Sequence, residues 1–246
     1  MICTDEHNKL LDDYLGMYGI PTSEDQRDLM LRHLDLVVEK NRVMNLTRIV
    51  DPQDAIIRHL VDSLLLVPTV KGVCTSHSTE FVDIGTGAGF PGVPLCIATG
   101  FKGTLIDSVG KKARAVEEFI GELGLSERSL ALPMRAEELA RMRFETYRLV
   151  VARAVADFGV LVEYASPLLE HGGHLIVSKA HISPEELERG KKTGDIVGLE
   201  YVSRETYELP LDRGHREILC MQKTSKSKRK LPRSNGLAKS KPLVAS

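Results

Sequence analysis

Residues 81–92 read Phe-Val-Asp-Ile-Gly-Thr-Gly-Ala-Gly-Phe-Pro-Gly, and this run constrains the fold more than any other stretch. Phe81, Val82 and Ile84 are apolar and favour extended backbone, so they predict the end of a buried β-strand. Gly85, Gly87 and Gly89 then alternate. Lacking a Cβ, they allow a sharp turn and a close approach of the backbone to a ligand. Pro91 suits the first turn of a helix that runs through residues 93–98 and stops at Gly100. Strand, glycine loop and helix together predict a ligand held at the carboxyl edge of a parallel sheet.

Gly87-x-Gly89-x-x-Gly92 matches the dinucleotide fingerprint literally, but such a match alone is weak and its register is wrong. Asp83 stands just ahead of the first glycine, where a carboxylate would repel a pyrophosphate and favour a cation. S-adenosylmethionine carries a sulfonium, an ammonium and no phosphate, so it fits. A plain βα turn without a ligand is the simpler alternative; three alternating glycines beside Asp83 argue against it.

Around this core the chain divides into three parts. Residues 1–70 predict a helical extension packed on the core. Leu10, Leu11, Tyr14, Leu15 and Tyr18 recur at helical spacing, Ser23 and Gln26 read as a capping box, and Asp51-Pro52 opens a third helix through Leu65. His59, on that helix, reads as a structural hydrogen-bonding residue. Residues 71–222 alternate strand and helix. Strands are expected at 103–107, 129–134, 148–153 and 174–179, with helices at 110–123, after 135 and at 157–170. This pattern predicts a mostly parallel α/β sheet with helices on both faces. Residues 196–207 and 215–222 predict a final antiparallel hairpin. Residues 71–79 read as an insertion-prone loop.

Residues 223–246 contain eight basic residues and no acid, so the rest of the chain is mildly acidic. A flexible tail is expected, either merely solvating or binding a polyanion, and its removal is expected to leave cofactor binding intact. Lys228, Arg229, Lys230 and Arg233 in the tail, with Lys111, Lys112 and Arg114 at the cleft mouth, are the expected contacts to such a polyanion. No run of about 18 apolar residues predicts a membrane span. The start of the chain lacks the pattern of a secretory signal. Cys3, Cys74, Cys96 and Cys220 have no metal-ligand spacing, which argues for free thiols in a cytoplasmic protein and against a metal site.

Asp107 ends the second strand some twenty residues beyond the loop, where an acid accepts hydrogen bonds from ribose hydroxyls. Ala136 and Glu137 follow the third strand, beside the expected adenine. Arg153 ends the fourth strand. It is expected either to point into the cleft and position the reacting groups, or to pair with a structural carboxylate. No Asp/Asn-Pro-Pro-aromatic run of an amino-methylating site follows the fourth strand. No cysteine stands there to attack a pyrimidine, and no Ser-His-Asp grouping is visible.

Several ordered motifs resemble the glucose-inhibited division protein B family over nearly the whole chain. They are Asn45-Leu46-Thr47, residues 58–64, the loop at 81–94, Asp107-Ser108 with Gly110-Lys111-Lys112 and Arg114, Arg153-Ala154, Lys179, Gly214-His215-Arg216, and the tail around Pro232-Arg233, Gly236 and Lys239. The resemblance implies a class I methyltransferase (Rossmann-like) sheet with S-adenosylmethionine as donor. It also implies methylation at N7 of guanine 527, in the decoding-site loop of 16S rRNA. By position, the family's cofactor contacts fall on Gly85, Phe90, Ala136, Glu137 and Arg153, beside Asp83, Gly87, Gly89 and Asp107 read from the residues themselves. The expected partner is 16S rRNA or the small ribosomal subunit, and the expected state is a monomer. The alternatives are an NAD-dependent oxidoreductase, disfavoured by Asp83, a methyltransferase of another RNA or base, and a non-catalytic RNA-binding assembly factor.

Overall fold

A computed structural model of the chain describes residues 2–74, 76, 79–153 and 155–244. Ala154, in one of the motifs above, and residues 75, 77 and 78 of the expected loop lie outside the described residues. The extension contains helices α1 (Asp5–Gly16) and α2 (Glu24–Asn41). The Ser23/Gln26 capping box forms in both directions, at 3.2 and 3.0 Å; it satisfies amides that the helix start leaves unpaired. Asp51 caps the short α3 (Pro52–Ala55). The chain then widens into a π-helical stretch, Ile56–Val61, before α4 (Asp62–Leu64) and α5 (Val67–Val73). Helical periodicity does not distinguish this π segment, which commonly marks a functional site.

The sheet contains β1 (Glu80–Ile84), β2 (Lys102–Ile106), β3 (Ser129–Leu132), β4 (Tyr147–Arg153), β5 (Leu169–Lys179), β6 (Leu199–Glu208) and β7 (His215–Lys223). Its order is β3-β2-β1-β4-β5-β7-β6. The first five strands run parallel, and β7 is antiparallel to both β5 and β6. The expected hairpin is present, with β7 inside the sheet and β6 at its edge. Between the strands lie α6 (Gly92–Thr99), α7 (Gly110–Glu122), α8 (Ala136–Met142), α9 (Phe158–Ala165) and α10 (Pro184–Val197). Helix α9 stops earlier than expected because Leu169 already begins β5. Helix α10 was not anticipated, although Ser183-Pro184-Glu185-Glu186 carries its cap: Ser183 Oγ accepts from the Glu186 amide at 3.1 Å.

Alternate strand residues face two cores. Phe81, Leu149, Val151 and Ile176 join Leu11, Leu15, Met30 and Leu60 of the extension and Val116 and Phe119 of α7. Val82, Val150, Ala152 and Val177 join Leu139, Phe158, Leu161 and Val197 on the other face. The extension therefore shares one continuous core with the sheet. This period-two partition is what strand geometry requires of a sheet covered on both sides. Among the described residues no helix is long and apolar enough to cross a membrane.

The tail expected to be flexible lies folded over α8 and α9. Lys223 is buried and donates to Ser166 O at 2.7 Å. Arg233 grips the buried Glu163 with two hydrogen bonds, at 2.7 and 2.6 Å. A short helix, α11 (Leu237–Ser240), follows. Composition suggested disorder, but Arg233 paired with the buried Glu163 carboxylate helps to hold the segment down.

Candidate functional site

The glycine loop leaves β1 at the carboxyl edge of the sheet. The Gly85 and Thr86 amides both donate to Ile106 O, at 2.8 and 3.0 Å. Asp107 then fixes the loop from β2: Oδ2 accepts from the Gly87 amide at 3.0 Å and Oδ1 from the Val109 amide at 2.8 Å. From the extension, His33 Nε2 meets Ala88 O at 3.0 Å. Since a carbonyl only accepts, that nitrogen carries the proton. His33 is fully buried, and burial pushes its pKa down to about 4.

Two cavities open on either side of this loop. The first, about 290 Å³, is lined by Gly85, Gly87, Asp107, Ala136, Glu137 and Arg153. These are six of the expected cofactor residues, gathered from four strand ends. Gly87 has φ +62° and nothing nearer than 4.0 Å where a Cβ would stand, so its backbone lies bare to the crevice. Lys112 and Lys239 also reach this cavity. Glu137 is buried, and its Oε1 accepts from the Gly236 amide at 2.7 Å, so the tail forms part of the crevice wall.

Three expected cofactor residues stand elsewhere. Asp83 lies fully buried beneath the loop, outside the crevice lining, where its Oδ2 accepts from the Gly92 amide at 3.0 Å. Desolvation drives its pKa up to about 7, against the opposing pull of the Thr86 hydroxyl and the Gly92 amide. Its role in this arrangement is to shape the loop from below. Gly89 packs against His33, with φ +97°. The Phe90 ring lies in the second cavity's wall, stacked on His59 at 4.7 Å and 8°.

The second cavity, about 340 Å³, shares Gly85, Gly87 and Arg153 with the first. The π stretch supplies Arg58 and His59 to its wall, and Asp62 follows directly. Asp62, buried at 4 % exposure, accepts from Arg153 Nη1 at 3.0 Å and from Arg216 Nε at 2.8 Å. Arg153 Nη1 also donates to Arg58 O at 3.1 Å, and its guanidinium lies 5.6 Å from the Phe90 ring centre. Arg153 is therefore paired with a structural carboxylate, and it also lines both cavities. Lys179 completes a lining of four cations, Arg58, Arg153, Lys179 and Arg216, against one acid. Sequence reasoning gave no site role to Asp62, Lys179 or Arg216, although each lies within a motif noted above. Their convergence joins residues as far apart as 154 positions.

The expected RNA contacts separate into two groups. Lys111, Arg114, Lys228, Arg229 and Lys230 are exposed, and Lys112 is half-buried at the crevice. Arg233 is not available to RNA: the buried Glu163 carboxylate occupies it, and this environment raises its pKa further.

The strand order, the glycine loop and the crevice at its carboxyl edge define a class I methyltransferase. Solved structures share the fold, including an O-methyltransferase from Bacillus cereus in complex with SAH and a geranyl diphosphate methyltransferase in complex with SAM. The first has a TM-score of 0.54 at 16% identity, over 91% of this chain and 100% of that one. The second has a TM-score of 0.56 at 11% identity, over 73% and 94%. The family model described as rRNA small subunit methyltransferase G matches residues 26–210. A ribosomal RNA small subunit methyltransferase G from Desulfitobacterium hafniense is 37% identical over 243 residues, covering 97% of this chain and 99% of the relative. One from Geobacillus kaustophilus is 38% identical over 215 residues, covering 86% and 89%. The chain belongs to the rRNA small subunit methyltransferase G family.

Proposed function

We propose that the chain transfers a methyl group from S-adenosylmethionine to N7 of one guanine of 16S rRNA, guanine 527 in the decoding-site loop. One observation carries the choice of atom: among the described residues, the second cavity offers no group suited to accept a proton. Asp62 is occupied by two arginines. Burial, with Arg153 nearby, holds the His59 pKa down to about 3, so the imidazole is a weak base. Guanine N7 carries an in-plane lone pair and no proton, so its methylation requires none.

The crevice fits the donor. Bare backbone at Gly87, an acid at each of two strand ends and the apolar Ala136 suit an adenosine with ribose hydroxyls. When bound, S-adenosylmethionine supplies an electrophilic methyl on a sulfonium. The chain's contribution is alignment. Arg153, fixed by Asp62 and Arg58 O, stands where the base and the methyl would meet. Holding reactants in line supplies as much as about 7–11 kcal/mol of a barrier. The cationic second cavity favours an anionic nucleic-acid strand.

The test is methyl transfer to small subunits lacking the modification, followed by digestion and mapping. The expected product is a guanosine with a fixed charge on its imidazole ring, cleavable by borohydride and aniline. At saturating cofactor, the chemical step should show no titrating base between about pH 6 and 9. A modified adenine, cytosine or ribose would overturn the assignment.

A further inference from the structure

The second cavity contains polar groups that the fold leaves unsatisfied. Ser178 is fully buried at the end of β5, in register with Arg153 on β4 and Ile218 on β7. Ser178 is among the residues around the cavity, and its buried hydroxyl has no hydrogen-bond partner among the described residues. Across from the sheet, Arg58 Nε on the π stretch is buried and equally unpartnered. Nearly all buried polar atoms in folded proteins are paired, and leaving one unpaired is destabilising. His59 Nδ1 and Thr86 Oγ1, in the same lining, are unpartnered as well. Of these four atoms, Arg58 Nε and Ser178 Oγ face each other from the π stretch and the sheet, and both are accounted for if a ligand pairs with them.

We propose that Arg58 and Ser178 read the base that receives the methyl group: Arg58 Nε–H donates to guanine O6, and Ser178 Oγ accepts from the guanine N1–H and N2–H donors. This rests on the function proposed above. The two groups divide the work. A hydroxyl both donates and accepts, so Ser178 tolerates either purine. A guanidinium only donates. Adenine places an amino group where guanine has O6, and that donor would face Arg58 with both left unpaired. Discrimination between purines, which both offer N7, therefore falls on Arg58. The Arg58 carbonyl separately anchors Arg153, so side-chain substitution leaves that bond in place.

The test compares wild type with Ser178→Ala and Arg58→Met on small subunits lacking the modification, and on subunits whose acceptor guanine is replaced by adenine. Cofactor affinity and thermal midpoint are measured alongside. Ser178→Ala should lower kcat/KM about tenfold while holding or raising the midpoint, because the lost hydroxyl contributes nothing to the fold. Arg58→Met should lower kcat/KM on guanine about a hundredfold or more and narrow the guanine-to-adenine ratio, since a site built around a polar contact discriminates through it. Cofactor affinity should stay within about twofold in both. If wild type methylates guanine and both variants keep its kcat/KM, the recognition pair is wrong and the proposed function stands. Parallel losses of cofactor affinity would place the two residues in the donor site instead. Methylation of a different base by wild type would overturn the function and the pair together.

Discussion

The Gly236 amide donates to Glu137 Oε1 at 2.7 Å, across 99 residues of sequence. This bond ties the basic tail to the crevice proposed to hold the cofactor, where Lys239 also stands. Removing the tail should therefore weaken cofactor binding, contrary to what its composition suggests. Truncation after Asn235 keeps the Arg233–Glu163 pair but removes Gly236 and Lys239. A hydrogen bond to a charged group contributes roughly 1.5–3 kcal/mol, so calorimetry should show affinity for S-adenosylhomocysteine reduced about tenfold or more. Unchanged affinity would show that the wall is dispensable.

Arg233 and Glu163 should behave as a coupled pair. Glu163 is nearly fully buried, so Arg233→Met leaves a carboxylate without its partner, a loss of about 3–5 kcal/mol in urea unfolding. Replacing both, with Glu163→Gln, removes the buried charge as well. The double variant should therefore lose much less than the sum of the single losses. Additive losses would mean that the tail is held by other contacts.

Features encoded locally were legible in the sequence. The Ser23/Gln26 box, the Asp51-Pro52 start and the left-handed Gly100 stop are each decided within a few residues. The glycine loop was legible for the same reason. The depth of Asp83 was not: strand alternation assigns it a face but does not show that α6 closes over it through Gly92. The order of the tail was not legible because its anchors are distant in sequence: Arg233 pairs with Glu163, 70 positions away, and the Gly236 amide donates to Glu137, 99 positions away. The second cavity was not legible because Arg58, Asp62, Arg153, Ser178 and Arg216 come together only after the sheet forms.

Three exposed cations next to the folded part of the tail, Lys228, Arg229 and Lys230, are expected to contact phosphate. Replacing all three by alanine should weaken rRNA binding and reduce its dependence on salt, by up to about 0.7–0.9 in slope per lost contact. Cofactor affinity should not change, since none of the three lines the crevice. An unchanged slope in a filter-binding titration would mean that these residues are only solvated.

Four buried groups set opposing pH dependences of stability. His33 and His59 have folded pKa values lowered to about 4 and about 3 by burial. Their contribution is present above about 6.5 and is lost as the pH falls toward those values. His174 is lowered in the same sense. Asp83 is raised to about 7, so its contribution is complete below about 4 and is lost as the pH rises to 7. The two effects oppose each other between about pH 4 and 6.5. Asp83→Asn should therefore steepen the rise of stability with pH in that window and remove the decline between about 6.5 and 7. Urea midpoints at pH 5, 6 and 7.5 measure this. Parallel profiles for the two proteins would show that Asp83 titrates normally.

The glycine loop depends on its contact with the extension. A Cβ on Gly89 would stand 2.8 Å from His33 Nε2 and 3.1 Å from Val93 Cγ2, at a φ of +97° that side chains rarely adopt. Gly89→Ala therefore adds backbone strain to a steric clash, and either the loop or His33 must move. Because His33 holds Ala88 O, displacing it also loosens the backbone beside Gly87 at the crevice. Gly87→Ala differs: its Cβ meets nothing within the protein closer than 4.0 Å, so the clash would be with the bound cofactor. The two variants should separate in measurement. Gly89→Ala should lower the thermal midpoint and cofactor affinity together. Gly87→Ala should reduce affinity with a smaller midpoint change, from strain alone. Adding His33→Ala to Gly89→Ala relieves the clash with the ring but restores neither φ nor the bond to Ala88. The double variant should consequently stay well below wild type in affinity. Full recovery would show that steric contact alone, and not the histidine's grip on the loop, shapes the cofactor site.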